Sequence, residues 1–404
     1  MTRSSKRKPN TLGENTIEQG RSFALPETHQ LLRDSVRRFA EAEIAPIARQ
    51  LDKEEKFSEA LTRRMGKLGL FGIVIPEEYG GQGMDYLASA IVCEEIARVD
   101  GSQAGTITAH NSLGISPLYY FGNEAQRKKY IPQLCTGERL WAFGLTEPGA
   151  GSDSRGSKTV AEKVEGGWKI NGAKIFITNG ASNMNAGVTV QAVTGSNSDG
   201  KPELSCFIVE RGAKGFSSRP MHGKLVWRSS DTSELYFEDV FVPDENMLGK
   251  RGDGSKQMLS TLDRGKIGIA AIGIGCAQGA YEKALAYANQ RKQFGKPISS
   301  FQSIAFALAD MHMKIEIART YLYKVCRMAD EDKPFSKEAA MAKLYSSEVA
   351  GEVTDMAVQI HGGYGLMEEY EVERFWRDHR LLRIGEGTSE IQRLIISRHI
   401  GCAD

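Results

Sequence analysis

The sequence predicts an α+β protein with an N-terminal all-helical domain, a central antiparallel β-domain and a C-terminal four-helix bundle. Three compositional zones predict this order. Residues 25–140 show helical periodicity, residues 141–250 carry closely spaced β-branched and aromatic runs, and residues 251–404 return to long helical patterns. A chain of 404 residues is too long for one small core, which agrees with several packed units. We expect the basic stretch 1–24 to be a disordered tail.

The first zone begins with LLRDSVRRFAEAEI (31–44), where apolar residues recur at helical spacing. The predicted buried stripe consists of Leu31, Leu32, Val36, Phe39 and Ile44. Pro46 is predicted to kink or end this helix. YLASAIVCEEIARV (86–99) predicts a second amphipathic helix, and PEEYGGQG (76–83) predicts a glycine-marked turn between the two.

The second zone has the pattern of neighbouring strands. KTVAEKVEGGWKINGAKIFITNG (158–180) contains Gly166-Gly167 and Asn171-Gly172, and both dipeptides are typical of hairpin turns. Further strands are predicted at AGVTVQAV (186–193), LSCFIVE (204–210) and ELYFEDVFV (234–242). Because no helical pattern separates these runs, they indicate an antiparallel sheet or a small barrel and not a dinucleotide-binding fold. Trp227 is predicted to pack within this β-domain.

The third zone predicts four long helices. They run from near Gln257 to Gln290, from Ser299 or Ser300 to about Met328, from near Ser336 to Ile360, and from Thr388 or Ser389 to Gly401. Serine and threonine are favoured N-cap residues, and glycine commonly follows the last helical turn.

Composition excludes several classes of function. The net charge of +1 argues against a general nucleic-acid or anionic-membrane binder. The six cysteines form no CxxC pair and the seven histidines no HExxH motif, so no metal site is predicted and a reducing cytosol suits the thiols. The apolar run IGIAAIGIGCA (267–277) is shorter than the roughly 20 residues that a membrane span needs. We therefore expect a cytoplasmic protein.

Several glycine-containing motifs are ambiguous when each is read alone. GIGCAQG (273–279) and GAGSDSRG (149–156) both lack the GxGxxG spacing of nucleotide-binding turns. LTEPGAGSD (145–153) is a turn that can approach a ring or a phosphate chain, or simply connect two domains. NQRKQFGKPISSFQ (289–302) alone favours a solvated helix hairpin, and QIHGGYG (359–365) alone favours a helix C-cap.

Together and in this order, the motifs LTEPGAGSD, ITNG, RKQFGKPI, QIHGGYG, RFWRD and EGTSEIQR resemble those of the acyl-CoA dehydrogenase family of flavoproteins. The resemblance covers essentially the whole chain from about residue 25. It implies FAD bound between the β-domain and the C-terminal helices, an acyl-CoA substrate, an electron-transfer flavoprotein as electron acceptor, and a homotetramer. The alternatives are an enoyl-CoA reductase or other flavin-dependent acyl-CoA chemistry on the same scaffold, or a catalytically silent CoA-binding assembly protein.

The resemblance also implies roles for individual residues. The implied FAD-binding residues are Phe143, Leu145, Thr146, Phe176, Thr178, Arg291, Phe294, Gln302, Gln359, Gly362, Gly363, Thr388, Ser389 and Glu390. Of these, the set from Arg291 to Gly363 is implied to reach the FAD of a neighbouring subunit. The implied substrate-binding residues are Ser152, Asp263, Lys266 and Gly387.

Glu386 lies between Gly385 and Gly387 in IGEGTSEIQR (384–393), and the resemblance implies that it is the catalytic base. Flanking glycines let the backbone pass close to a bound ligand. The implied reaction transfers the α-proton of the thioester to Glu386 and the β-hydride to flavin N5, while hydrogen bonds to the thioester carbonyl stabilise the developing charge. Some family members carry the base at the position of Gly265, which has no side chain here.

Two positions depart from the family pattern. Lys266 replaces a common arginine and keeps the charge without the planar fork of donors. Gly385 replaces the tyrosine of many straight-chain enzymes, which widens the predicted acyl pocket. The resulting hypothesis is a branched or cyclic acyl group.

Overall fold

The computed structural model describes residues 25–402, and its elements follow the predicted order of helices, sheet and helices. The fold class is therefore confirmed. The tail predicted for residues 1–24 lies outside the described range. No helix within residues 25–402 is both long and apolar enough to cross a membrane.

The N-terminal layer consists of short helices. They are α1 (Glu27–Phe39), α2 (Ala45–Glu54), α3 (Glu59–Lys67), α4 (Tyr86–Ala97), α5 (Gly101–Thr108), α6 (Ser116–Phe121) and α7 (Glu124–Cys135). A π-helical turn, Ala40–Ile44, joins α1 to α2, and Pro46 lies in the first turn of α2. Pro46 therefore lies at the start of a new helix and follows the π-helical turn, and its missing N–H costs nothing in the first helical turn.

Two expectations for this layer are wrong. Leu31 is 63% exposed, while Arg33 is buried in its place, with its charge facing Glu95 on α4. The helix α4 is not amphipathic, because every residue from Ala90 to Ala97 is buried. A helix that is buried on all sides lies in the middle of a core, and its acidic residues are tolerated because arginines neutralise them.

The central layer is one mixed sheet. Its strands are β1 (Leu140–Gly144), β2 (Val160–Val164), β3 (Gly167–Thr178), β4 (Asn185–Ser196), β5 (Pro202–Glu210), β6 (Phe216–Pro220), β7 (Thr232–Pro243) and β8 (Met247–Leu248). The order is β6-β7-β3-β2-β4-β5-β8, with β1 parallel to β4. Most neighbouring strands are antiparallel, as predicted, and the parallel pairing of β1 brings the end of the N-terminal layer onto the sheet.

The two predicted hairpin dipeptides differ in outcome. Gly166-Gly167 joins β2 to β3 in an antiparallel hairpin, as predicted. Asn171-Gly172 does not turn the chain, because β3 continues through it with an irregularity in its pairing to β7. A Cβ at Gly172 would lie 2.7 Å from Thr159 Cα, so the glycine permits a close strand approach.

The C-terminal layer contains the long helices. The elements are α8 (Gly254–Gln290), β9 (Lys292–Gln293), β10 (Lys296–Pro297), α9 (Gln302–Asp330), α10 (Ser336–His361), α11 (Val372–Leu382) and α12 (Ser389–His399). The sequence patterns did not predict α11. The prediction that Ser299 or Ser300 caps α9 is wrong. The residue before the helix is Phe301, and no side chain caps the helix start. Thr388 does cap α12, with its hydroxyl accepting from Ile391 N at 3.3 Å.

Small residues on α8 let neighbouring helices approach closely. A side chain at Gly275 would overlap the Glu94 carbonyl of α4, and one at Gly273 would lie 3.0 Å from the Ser346 carbonyl of α10. Trp227 also joins this helical core, packing on Gly105 of α5, so its predicted place in the β-domain is wrong. The close packing brings Gly265 of α8 and Lys343 of α10 to the loop between α11 and α12.

Candidate active site

Glu386 lies in that loop in an unusual backbone conformation. Its φ is +53° and that of Gly387 is +96°, so two successive residues are left-handed. A non-glycine residue adopts this region at a cost, which persists only where surrounding contacts enforce it. Gln392 Nε2 donates to the Glu386 and Gly387 carbonyls at 3.2 and 3.0 Å, and Lys343 Nζ donates to the Gly387 carbonyl at 2.6 Å.

The side chain of Glu386 points at α8, where Gly265 makes room for it. A Cβ at Gly265 would overlap the carboxylate and would lie 2.8 Å from its Cδ. Within residues 25–402, neither Glu386 Oε2 nor the Glu386 backbone N–H has a hydrogen-bond partner. The loop therefore presents a free carboxylate oxygen and a free N–H donor from the same residue.

The electrostatic surroundings prepare this carboxylate to accept a proton near neutral pH. Burial raises the pKa of Glu386 to about 7, and the ammonium groups of Lys343 and then Lys266 oppose that rise. Lys266 also forms an ion pair with Asp263 at 2.5 Å on the same helix. The structure thus places Lys266 and its partner Asp263 near Glu386, whereas their predicted contact with the acyl-CoA stays a prediction.

The turn LTEPGAGSD is anchored by a buried ion pair. Glu147 Oε1 lies 2.7 Å from Lys174 Nζ, and the same ammonium donates to the Leu145 carbonyl at 3.1 Å. Glu147 also accepts from the backbone N–H groups of Lys158 and Thr159, which lie between the turn and β2. Burial alone would raise the pKa of Glu147, but the Lys174 ammonium holds it at about 2. The start of the turn is therefore fixed to Lys174 of β3, and Glu147 also holds the segment that follows the turn.

The predicted flavin residues of the turn and the sheet occupy different environments. Phe143 is buried in β1, Leu145 and Thr146 are half-buried, and Ser152 is exposed at the tip of the turn. In β3, Phe176 has a φ of +59° and is 63% exposed, and Thr178 is half-buried. The neighbouring Asn179 donates from Nδ2 to the Thr106 carbonyl at 3.2 Å, which ties this strand end to α5.

A second group of predicted residues lines a cleft of about 570 Å³. Arg291, Gly362 and Gly363 line it, and the Arg291 guanidinium lies 5.6 Å from the centre of the Tyr364 ring. None of the residues lining this cleft comes from the central sheet or from the Glu386 loop. Phe294 is 93% exposed on the β9–β10 hairpin. The exposed Gln302 and Gln359 are outside the lining of the cleft.

The start of α12 completes the predicted set. Ser389 is buried and its hydroxyl donates to Glu348 Oε1 at 3.0 Å, while Glu390 is exposed. Gly387 is too close to Gln392 for a side chain, because a Cβ would lie 2.7 Å from Gln392 Nε2.

The residues present fit a flavin dinucleotide. Phe176 offers an exposed aromatic face for a ring system, and side-chain-free space surrounds Gly362 and Gly363 beside the Arg291 guanidinium, which suits a pyrophosphate. The unpartnered Oε2 of Glu386 leaves a buried acceptor for a ligand proton.

Sequence reasoning missed several residues that support this site. Lys343, Gln392, Glu147 and Lys174 are buried polar side chains that hold the Glu386 loop and the glycine-rich turn. Lys343 did carry a signal, because it follows Ala339 and precedes Ser347 at helical spacing on a stripe of small residues. A lysine on a buried stripe requires a specific partner, and the partner here is a loop far along the sequence.

Comparison with known families supports the geometry. Models described as the N-terminal, middle and C-terminal domains of acyl-CoA dehydrogenase match residues 26–138, 142–240 and 252–401. The chain is 48% identical to a probable acyl-CoA dehydrogenase, YngJ, of Bacillus subtilis, covering 94% of this chain and 99% of the relative. It is 44% identical to a short-chain specific acyl-CoA dehydrogenase of Clostridium acetobutylicum, with coverages of 94% and 99%.

Solved structures agree over the same length. Butyryl-CoA dehydrogenase from Megasphaera elsdenii matches with a TM-score of 0.90 at 42% identity, covering 94% of this chain and 99% of that chain. A structure from work on the electron transferring flavoprotein of Acidaminococcus fermentans matches with a TM-score of 0.91 at 42% identity, covering 94% of this chain and 100% of that chain. Glutaryl-CoA dehydrogenase from Mycobacterium smegmatis in complex with FADH2 matches at 0.88 and 27%, with coverages of 93% and 95%. This chain belongs to the acyl-CoA dehydrogenase family and is an FAD-dependent oxidoreductase.

Proposed function

We propose that this protein dehydrogenates an acyl-CoA thioester between its α and β carbons, with Glu386 as the base. The observation that carries the proposal is the half-buried Glu386, whose carboxylate packs against Gly265 with a buried and unpartnered Oε2. A pKa raised to about 7 matches a general base that works near neutral pH. Bound FAD supplies the hydride acceptor for the β carbon.

The protein residues around the base have separate tasks in this reaction. Removal of the α-proton places negative charge on the thioester oxygen, and the free N–H of Glu386 is a donor for that charge. The left-handed φ angles of Glu386 and Gly387 let the N–H and the carboxylate of one residue serve one ligand. Entry of the acyl chain removes water and strengthens these interactions.

We also propose that the acyl group is short and bulky beside the thioester, which covers branched and cyclic groups. Gly385 has no positive φ, and a Cβ there would meet Leu381 only at ordinary distances of 3.5 Å or more. Neither strain nor crowding therefore demands glycine, and the missing side chain leaves space. The relatives named for short-chain and butyryl substrates support a small acyl group.

The proposal includes an assembly and a redox partner. The cleft at Arg291 is separate from the sheet, so a flavin site that uses both needs a second subunit. Exposed apolar side chains on α9 and α10, such as Met313, Ile317 and Tyr345, support contact between copies, and we propose a homotetramer. An electron-transfer flavoprotein is the proposed electron acceptor, and a cytoplasmic location suits the scattered free cysteines.

The test is an anaerobic titration of the yellow holoprotein with linear, branched and cyclic short acyl-CoAs. Bleaching of the flavin by one of them supports dehydrogenation and identifies the acyl class. A yellow protein that no saturated acyl-CoA bleaches, but that reduces an enoyl-CoA, would favour the reductase alternative. Gly385→Tyr should lower the activity toward a bulky substrate more than the activity toward butyryl-CoA. Equal losses for the two substrates would contradict the proposed acyl class.

A further inference from the structure

A buried lysine lies under the loop that carries the base. Lys343 on α10 has no exposed surface, and its Nζ donates to the Gly387 carbonyl at 2.6 Å. In the described part of the chain, no carboxylate lies within ion-pair distance of this ammonium group. A buried charge without a close counter-ion is costly, so packing alone does not account for a lysine here.

The backbone contact explains one task of this side chain. The Gly387 carbonyl follows two left-handed residues, and it accepts from both Lys343 Nζ and Gln392 Nε2. Two donors on one carbonyl oxygen fix its direction. Gln392 Nε2 also donates to the Glu386 carbonyl at 3.2 Å, so both peptides that flank Gly387 are held. Together these contacts hold the backbone of Glu386, whose carboxylate must reach the space that Gly265 leaves open.

The charges around Glu386 explain a second task. The charged and titratable groups that face the pair are Asp263 and Lys266 on α8, Glu348 on α10, Glu390 on α12 and Cys93 on α4. Asp263 pairs with Lys266 at 2.5 Å, which partly neutralises that cation. Glu348 is held by Arg383 at 2.7 Å and by the Ser389 hydroxyl. Lys343 is therefore the cation near Glu386 that lacks a close carboxylate of its own within residues 25–402.

We propose that Lys343 is a positioning residue for the base, whose ammonium group fixes the Gly387 carbonyl and supplies the positive charge that the Glu386 carboxylate faces. This inference rests on the proposed role of Glu386. It adds a residue 43 positions earlier in the chain to the machinery of the reaction.

The charge has a defined consequence for proton transfer. Burial raises the pKa of Glu386 to about 7, and the Lys343 ammonium is the first group that opposes the rise. Without that ammonium group, the pKa of Glu386 rises further, and more of the base is protonated at neutral pH. Burial in turn lowers the pKa of Lys343 to about 8, and the Glu386 carboxylate opposes that change.

Two substitutions separate the two tasks. Lys343→Gln keeps a donor for the Gly387 carbonyl without the charge, and Lys343→Met removes both. We expect the acid limb of kcat/KM against pH to move up by about one unit in both variants of the holoenzyme. The plateau at high pH should fall about tenfold more in Lys343→Met, because only that variant also loses the carbonyl contact.

The matched control is Lys337→Met on the first turn of α10, where the lysine is partly exposed and pairs with Glu338 at 3.2 Å. Its pH profile should match that of the original protein. If both Lys343 variants keep the original acid limb while the wild-type holoenzyme is active, the inference is overturned. An inactive wild type would instead contradict the proposed function, so the two failures are distinguishable.

A stability measurement needs no substrate. Lys343→Met should lower Tm more at about pH 8 than at about pH 6, because the ionised Glu386 then lacks its facing charge. In a Glu386→Gln background this extra loss at high pH should disappear. An equal loss of Tm in both backgrounds and at both pH values would overturn the inference, and Lys343→Gln provides the same comparison should the methionine variant not fold.

Discussion

The carboxylate of Glu386 occupies the space that a side chain at Gly265 would fill. A Cβ on Gly265 would lie 2.8 Å from Glu386 Cδ and closer still to Oε2. The two residues are 121 positions apart, on α8 and on the loop before α12. A glycine inside a 37-residue helix is costly by itself, so its presence reflects this contact.

Gly265→Ala should therefore impair catalysis although alanine is the better helix former. The added methyl group pushes the Glu386 carboxylate aside, and a misplacement of about 1 Å can cost on the order of a hundredfold in kcat. Steady-state kinetics measure the loss. In a Glu386→Ala background the same substitution should raise Tm, because alanine then gains about 1 kcal/mol over glycine without the overlap. Full activity in Gly265→Ala would contradict the relationship.

The activity should fall as the pH drops below about 7. Burial raises the pKa of Glu386 to about 7, and only the carboxylate form accepts a proton. A profile of kcat/KM against pH should show an acid limb near this value for the free enzyme. A limb close to 4.5, the ordinary value for a glutamate in water, would show instead that the carboxylate is solvated.

Glu386→Gln should stabilise the protein at alkaline pH. A carboxyl group whose pKa is raised on folding favours the folded state while it is protonated. For Glu386 this contribution is complete below about pH 4.5 and is lost as the pH rises from about 4.5 to about 7. The neutral amide escapes that loss, which is worth about 1–3 kcal/mol above pH 7. Thermal melts at about pH 5 and pH 8 should show a gain in Tm only at the higher pH. A variant without that gain would argue against a desolvated carboxylate.

The ion pair between Glu147 and Lys174 should be required for the glycine-rich turn. Removing one partner of a buried pair leaves an uncompensated charge and costs about 3–5 kcal/mol. Lys174→Met should therefore lower the free energy of unfolding and weaken FAD retention, as measured by denaturant titration and by flavin release. Lys169→Met on the same strand is the control, because its pair with Asp239 at 3.8 Å is exposed and should contribute little. Equal losses in both variants would contradict this role.

The sequence predicted the layers better than the contacts between them. Helical spacing and β-branched runs were sufficient for the long helices and the strands, because those patterns depend on neighbouring residues. The prediction that Leu31 is buried was wrong. Arg33 is buried instead because it pairs with a distant glutamate, which periodicity cannot show. The prediction for Trp227 was wrong for a related reason, because its ring packs against glycines of α5, a contact between distant segments.

The candidate site shows the same difference between what the sequence predicted and what it missed. Motif resemblance identified Glu386 and the flavin residues as candidates, because the sequence motifs that contain them recur in this chain. The supporting residues Lys343, Gln392 and Lys174 act through hydrogen bonds to carbonyls and carboxylates of other segments. Such contacts leave no spacing pattern, and only the folded chain brings the partners together.

The central claim is that Glu386 removes the α-proton of an acyl-CoA. The most direct measurement is α-proton exchange of a bound acyl-CoA in D2O, followed by NMR under anaerobic conditions without an electron acceptor. The holoprotein should exchange the α-proton, and Glu386→Gln should slow the exchange by about 10²–10⁴-fold while it retains the flavin. Exchange at an unchanged rate in Glu386→Gln would contradict the assignment and place the base elsewhere.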